Sequence, residues 1–187
     1  MSIPSLEPLF LRIPRGIASR IRIAVYKLLG LHIGRSNRME LSRCRRLNQI
    51  SIGNQNAFTA GIMLWPEDKP YNGIRIKIGN RNYFNRNNML DACGYIEIGD
   101  HNMFGPDIYI TDANHRFGMG VAPSEQPMDA GKVIIGNYCW IGAKAIILKD
   151  VVLGDHCVVA AGSVVTKSFP AGSVIAGVPA KLIRTLE

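Results

Sequence analysis

The sequence predicts an all-β fold, a left-handed parallel β-helix built from hexads, and three observations predict it. Large apolar residues step by six without a break through Ile135, Ile141, Ile147, Leu153, Val159 and Val165. A phrase of the form apolar, any residue, apolar, Gly recurs along the chain. Wound at three hexads per coil, polar and aromatic residues far apart in sequence fall into columns.

The hexad step also runs through Ile52, Phe58 and Leu64, through Ile78, Phe84, Leu90 and Ile96, and through Ile98, Phe104 and Ile110. An α-helix repeats its apolar stripe at three and four residues, and an amphipathic strand at two. A strict step of six, interrupted by turn residues, fits short parallel strands joined at regular corners. The longer phrase begins at Leu31, Ile50, Ile76, Ile96, Val133 and Val151, with separations of 19, 26, 20, 37 and 18. Each is 18 plus an excursion, so the surplus leaves the coil as loops, a small one at 65–75 and a large one at 112–132. Asn54, Asn80, Asp100, Asn137 and Asp155 follow the glycines and are expected to take a left-handed turn conformation.

The columns supply the register. Asn37, Asn56, Asn82 and Asn102 share one position, continued by Cys139 and Cys157. Coils stacked at strand spacing make the asparagines a ladder of side-chain amides, with the cysteines as small core fillers. Phe58, Phe84 and Phe104 share a second column.

Three segments follow. Residues 1–30 form a basic arm: an irregular stretch to about 13, then a short amphipathic helix over 15–30 that Gly30 ends. In that helix Ile17, Ile21, Ala24, Val25 and Leu28 lie on one side, with Arg15, Arg20, Arg22 and Lys27 around the other. Residues 31–169 form the β-helix. Residues 170–187 form a tail that leaves the coil, with Lys181–Arg184 packing beside it.

The net charge of +8 sits in one place. Residues 1–46 carry ten bases against Glu7 and Glu40, which leaves the rest of the chain neutral. A neutral body without a recognition motif excludes nucleic acid. The arm offers three readings: contact with an anionic membrane surface, with a phosphorylated or lipid-linked sugar, or with solvent alone. No apolar run approaches the ~20 residues that span a bilayer. Four cysteines without a CxxC pair, and no secretory signal before them, predict reduced thiols and a cytoplasmic protein, peripheral at the inner membrane face if the arm binds there.

On particular stretches the chain resembles the hexapeptide-repeat acyltransferases, most nearly the galactoside- and maltose-type sugar O-acetyltransferases and their polysaccharide-modifying relatives. These stretches are Tyr83-Phe84-Asn85, Ile96 to His115, Ile135 to Ala143 with its Trp140-Ile141-Gly142, Ala161 to Lys167, and Ala176 to Lys181. The resemblance implies a homotrimer with active sites between prisms, acetyl-CoA as co-substrate, no metal, and a sugar acceptor. It makes His115 the general base. It places Asn85 at the acceptor; the family's sugar-binding acid falls at Cys93, a departure, with Asp91 two residues earlier as the nearby carboxylate. Trp140, Gly142, Ala143, Ala161, Thr166, Lys167, Lys181 and Arg184 match the coenzyme positions. The family's acid near the N-terminus has no counterpart in this basic arm.

The chemistry fits those residue types. An attacking hydroxyl must lose its proton, and a histidine titrating near ~6.5 suits that role at ~10²–10⁴-fold. The thioester oxygen needs a donor as it gains charge, which a tight turn at Gly142-Ala143 supplies. Lys167, Lys181 and Arg184 suit phosphates. Asp112 and Asn114 are candidates to fix the His115 tautomer, with turn formation as the alternative. His32, His101 and His156 are read as solvent-facing, and four scattered histidines make no three-histidine zinc set. The predicted activity is acetyl transfer to a sugar hydroxyl in polysaccharide or lipid-linked glycan biosynthesis. Two alternatives stay open: N-acetylation of a nucleotide-linked amino sugar, and a β-helix scaffold without catalysis.

Overall fold

A computed structural model describes residues 7–69 and 71–187, with the side chains of the N-terminal helix described from Arg15 onward. The start of the expected irregular stretch, residues 1–6, lies outside the described residues. Helix α1 (Glu7–Leu28) precedes a left-handed parallel β-helix with three faces. The first face stacks His32–Ile33, Ile50–Ile52, Ile76–Ile78, Tyr95–Ile98, Lys132–Ile135 and Val152–Leu153. The second runs from Arg38–Met39 through Ala57–Phe58, Tyr83–Phe84, Met103–Phe104 and Trp140–Ile141 to Val158–Val159. The third runs from Ser42–Cys44 through Ile62–Pro66, Met89–Ala92, Tyr109–Thr111 and Ile146–Ile147 to Val164–Val165.

Each hexad supplies one strand, and its large apolar residue points inward. Ile52, Ile78, Ile98, Ile135 and Leu153 stack on the first face, Phe58, Phe84, Phe104, Ile141 and Val159 on the second, and Leu64, Leu90, Ile110, Ile147 and Val165 on the third, all buried. The phenylalanine rings stack at 5.0 and 4.3 Å between centroids. Offset stacking of this kind adds to simple burial.

The edge between the first and second faces, here the ladder edge, carries the asparagine column. The Oδ1 of Asn37 accepts the Asn56 N–H, Asn56 that of Asn82, Asn82 that of Asn102, and Asn102 that of Cys139. The amide nitrogens of Asn37, Asn56 and Asn82 donate to Gly53 O, Gly79 O and Gly99 O of the adjoining coil. Cys139 and Cys157 direct their thiols to the equivalent carbonyls, Gly154 O and Pro170 O. The cysteines therefore fill the column and keep its hydrogen-bond pattern.

One turn expectation is corrected. The left-handed residues are Gln55, Arg81, His101, Tyr138 and His156, each one position after the expected Asn or Asp. Those Asn and Asp side chains instead accept backbone N–H groups from the preceding coil: Asn54 that of Arg35, Asn80 that of Asn54, Asp100 that of Asn80, Asn137 that of Asp100 and Asp155 that of Asn137. Short acceptors are required there, while the left-handed position next to them tolerates rings. His101, Tyr138 and His156 stack along the edge at 4.9 and 5.0 Å.

The two ends also differ from expectation. Helix α1 begins at Glu7, earlier than the sequence suggested: Pro8 falls in the first turn, where its missing N–H costs nothing, and the helix runs on through Pro14 at the loss of one backbone hydrogen bond. The helix packs on the open end of the coil through Ser19, Arg22 and Tyr26. The Ser19 hydroxyl accepts the Met39 N–H, an Arg22 nitrogen donates to Met39 O, and the Tyr26 hydroxyl donates to Ser42 O. Its apolar stripe, Ile17, Ile21, Val25 and Leu28, faces outward and is exposed. At the other end the chain from Pro170 stays on the coil. Ser173–Gly177 adds a parallel strand to the second face, and Ala180–Thr185 folds back against it in antiparallel register.

Candidate active site

The long excursion leaves from the edge that joins the third face to the next first-face strand, here the hairpin edge. It is an antiparallel ribbon rather than an open loop: Ala113–His115 pairs with Met128–Ala130, His115 opposite Met128. The ribbon is pinned at its root, where Gly131 N–H donates to Asp112 O at 2.8 Å. Space there is tight, since a Cβ on Gly94 would lie 2.2 Å from Gly131 O. Lys149 clamps the ribbon from the next coil, 3.0 Å from Asp129 and 2.8 Å from Asp150. His115 thus stands exposed at the end of a braced strand.

His115 opens onto a cleft of about 230 Å³ lined also by Arg45, Trp65, Glu67, Asp91, Cys93 and Thr111. Of the acceptor residues named from sequence, Asp91 and Cys93 are here. Asp91 accepts the Tyr109 hydroxyl at 2.9 Å. Cys93 gives its S–H to Glu67. Burial, that hydrogen bond and the Glu67 charge push the Cys93 thiol up to about 12, so it remains a thiol. Burial alone would raise the Glu67 carboxyl, but the Cys93 thiol and the Lys69 ammonium hold it below its ordinary range. Where the family pattern has an acid, this chain has a thiol, and Glu67 of the preceding coil brings a carboxylate to it.

Asp112 does not fix the imidazole. Its buried carboxylate accepts the N–H groups of Cys93 at 2.7 Å and Gly94 at 3.0 Å, which ties the ribbon's root to the coil before it. Burial raises this carboxyl, and the two N–H donors oppose that rise. Asn114 is exposed and pairs in the ribbon with Asp129.

The remaining residues lie on a different edge. Asn85 is at the corner between the second and third faces, here the alanine edge, one strand length from Asp91. Ala60, Ala143 and Ala161 occupy equivalent turns there. Trp140 stands on the second face beside that edge, 56% exposed. Lys181 and Arg184 project from the terminal antiparallel strand of the same face. Asn85, Trp140, Gly142, Ala143, Ala161, Lys181 and Arg184 are therefore grouped together. Thr166 and Lys167 are not. They follow Val165 on the hairpin edge, in the register of Thr111 and Asp112 two coils away.

Gly142 has a packing role, because a Cβ there would lie 2.5 Å from Ala161 N, and its own N–H is given to Val159 O. Among the described residues, the Ala143 and Ala161 N–H groups have no partner within the chain. The donor that the turn offers is thus Ala143 rather than Gly142.

Sequence reasoning missed Arg45, Trp65, Glu67 and Thr111. The signal was available in the register: Trp65 pairs with Asp91, and Asp91 with Thr111, which carries Glu67 to Cys93. No cluster of three or more His, Cys, Asp or Glu side chains suited to a metal occurs among the described residues.

Comparison with known proteins agrees with this architecture. The model of bacterial transferase hexapeptide (six repeats) matches residues 132–167. Nodulation protein L of Rhizobium leguminosarum bv. viciae is 36% identical over 156 residues, 83% of this chain and 81% of that one. The chain belongs to the hexapeptide-repeat acyltransferase family. A second family member, galactoside O-acetyltransferase of Escherichia coli (strain K12), is 33% identical over 131 residues, 69% of this chain; the chain spans 64% of that enzyme's length. Among solved structures of the fold, AntD, an N-acyltransferase from Bacillus cereus in complex with dTDP and 3-hydroxybutyryl-CoA, superposes with a TM-score of 0.74 over 88% of both chains at 23% identity.

Proposed function

We propose that this hexapeptide-repeat protein is an O-acetyltransferase that moves acetyl from acetyl-CoA to a sugar hydroxyl, on a polysaccharide or lipid-linked glycan precursor. The observation that carries the reading is the placement of His115, on a braced ribbon at the mouth of a cleft that also holds Asp91, Glu67 and the Trp65 ring. Carboxylates that accept hydrogen bonds and an aromatic wall suit a sugar. Relatives with sugar acetyltransferase names support it.

The roles follow from position. His115 takes the hydroxyl proton as the oxygen attacks the thioester carbonyl, and returns it to the departing coenzyme thiol. The free Ala143 N–H meets the carbonyl oxygen as it gains charge. Trp140 flanks the pantetheine arm, and Lys181 and Arg184 pair with phosphates. The reading requires a homotrimer. His115, Asp91 and Cys93 lie on the hairpin edge, whereas Asn85 and most coenzyme residues lie on the alanine edge. A threefold ring of prisms sets the hairpin edge of one subunit against the alanine edge of the next. Thr166 and Lys167 then reach the coenzyme from the hairpin side.

The test is His115→Ala with labelled acetyl-CoA and a panel of sugars. Turnover should fall by ~10²-fold or more while acetyl-CoA affinity stays near wild type. Near-normal turnover on a hydroxyl acceptor overturns the base assignment. Transfer to amino sugars alone would make N-acylation the activity.

A further inference from the structure

We propose that helix α1 docks the protein on the surface of an anionic lipid bilayer. Ile17, Ile21, Val25 and Leu28 recur at four, four and three residues, so they share one stripe of the helix. The stripe points away from the coil. Ile21 is 60% exposed and Leu28 88%, while the opposite side, with Ser19 buried and Tyr26 half-buried, makes the contacts to the coil. The coil thus already has its cap without these four side chains. Four large aliphatic residues in line are far more than scattered surface apolar residues require.

The charges identify the occupant. At the helical repeat, Arg20 and Lys27 lie on one flank of the stripe and Arg15 on the other, while Arg22 beside Arg15 is held to the coil by Met39 O. Long basic side chains beside an apolar stripe can lay their stems on it and lift their charges to headgroup level. The first coil, which the helix covers, adds exposed Arg35, Arg38 and Arg43. Arg45 and Arg46 both pair with Asp68, and Glu40 is the one acid that lines a pocket with helix residues Arg15 and Arg22 among the described residues, so bases outnumber acids on this side. Pairing the stripe with itself would set basic flank against basic flank, which disfavours a twofold contact through it; a heterologous contact with a neighbouring subunit is what the oligomer measurement below separates from lipid. The helix is not a membrane span: no described helix is long and apolar enough to cross. An interfacial helix, parallel to the membrane plane, fits a stripe of this width with bases on both sides.

The proposal does not depend on the acetyl-transfer reading, and its test uses no acetyl-CoA. Full-length protein is floated with vesicles of phosphatidylcholine alone, or of phosphatidylcholine and phosphatidylglycerol in equal parts. Binding should be confined to the anionic vesicles and should weaken as salt is raised. Ile21→Asp combined with Val25→Asp should lower binding at least tenfold, well below the loss that full burial of two aliphatic side chains would give. Arg20→Gln combined with Lys27→Gln should also lower it, and serves if the aspartate variant does not fold. Equal binding to both vesicle types, or no binding to either, overturns the proposal. So does a change in oligomeric state of the folded aspartate variant in lipid-free buffer, which would assign the stripe to another copy of the chain.

Discussion

The ladder edge and the hairpin edge belong to the same coils and divide the work of the molecule. On the ladder edge the five corners from Asn54 to Asp155 repeat one solution: a short acceptor takes an N–H of the coil before, a left-handed residue follows, and an Asn or Cys fills the column. On the hairpin edge no two coils are alike. One contributes Trp65 and Glu67, the next Asp91 and Cys93, and the next departs into the His115 ribbon. Repetition specifies the prism, and its interruption supplies the candidate site. Chemistry on one irregular edge of a regular scaffold keeps the site's geometry fixed by strands that it does not disturb.

Three substitutions probe that division. The largest effect should come from the repeated interior. Phe84→Asp places a charge between the Phe58 and Phe104 rings, where nothing can pair with it. The cost should exceed ~4 kcal/mol, and thermal melting should show no cooperative transition. A wild-type melting curve would mean that the rings are not the core.

The intermediate case lies on the hairpin edge. Asp112→Ala removes the acceptor for the Cys93 and Gly94 N–H groups, at ~1–3 kcal/mol for each donor left unpaired. The coils should still melt cooperatively, at lower temperature, while turnover drops because the root of the His115 ribbon is loosened. Turnover unchanged in a destabilised Asp112→Ala protein would separate the brace from the site.

The smallest effect belongs to the ladder edge. The Asn137 backbone N–H and side-chain amide hold the Asp155 carboxyl below its ordinary range. A depressed acid stabilises the fold at neutral pH, and that contribution is lost as pH falls through its folded value. Asp155→Asn keeps an acceptor of the kind found at Asn54, Asn80 and Asn137 but removes the titrating proton. Melting temperature should therefore fall less steeply on acidification than in the wild type. Equal acid slopes for the two proteins would show that this carboxylate does not contribute.

Hexad spacing made the prism legible because one residue per strand must face the axis, so Ile135, Ile141 and Ile147 declare three faces in turn. The asparagine and phenylalanine columns were legible for the same reason. The left-handed positions were assigned one residue early, because Asn and Asp suit both a left-handed backbone and an N–H acceptor, and sequence does not separate the two roles. The direction of helix α1 was hidden because its packed face mixes Ile23 and Tyr26, which pack on the core, with Ser19 and Arg22, which act through hydrogen bonds, and so presents a weaker apolar side than the Ile17–Leu28 stripe. In the candidate site, His115 stood out by its place at the long excursion. Glu67 and Trp65 did not, since the 26-residue interval that brings them to Cys93 and Asp91 contains a loop whose length must first be subtracted.

The central functional claim is that each site joins the hairpin edge of one subunit to the alanine edge of its neighbour. Subunit mixing tests it most directly. His115→Ala and Asn85→Ala, each folded and each nearly inactive alone, are co-refolded in equal amounts. A shared site predicts that activity returns, to about a quarter of wild type for random trimers, because one seam type then carries both intact residues. Mixed trimers that form but stay as inactive as either parent would contradict the account and place both residues in the same subunit's site.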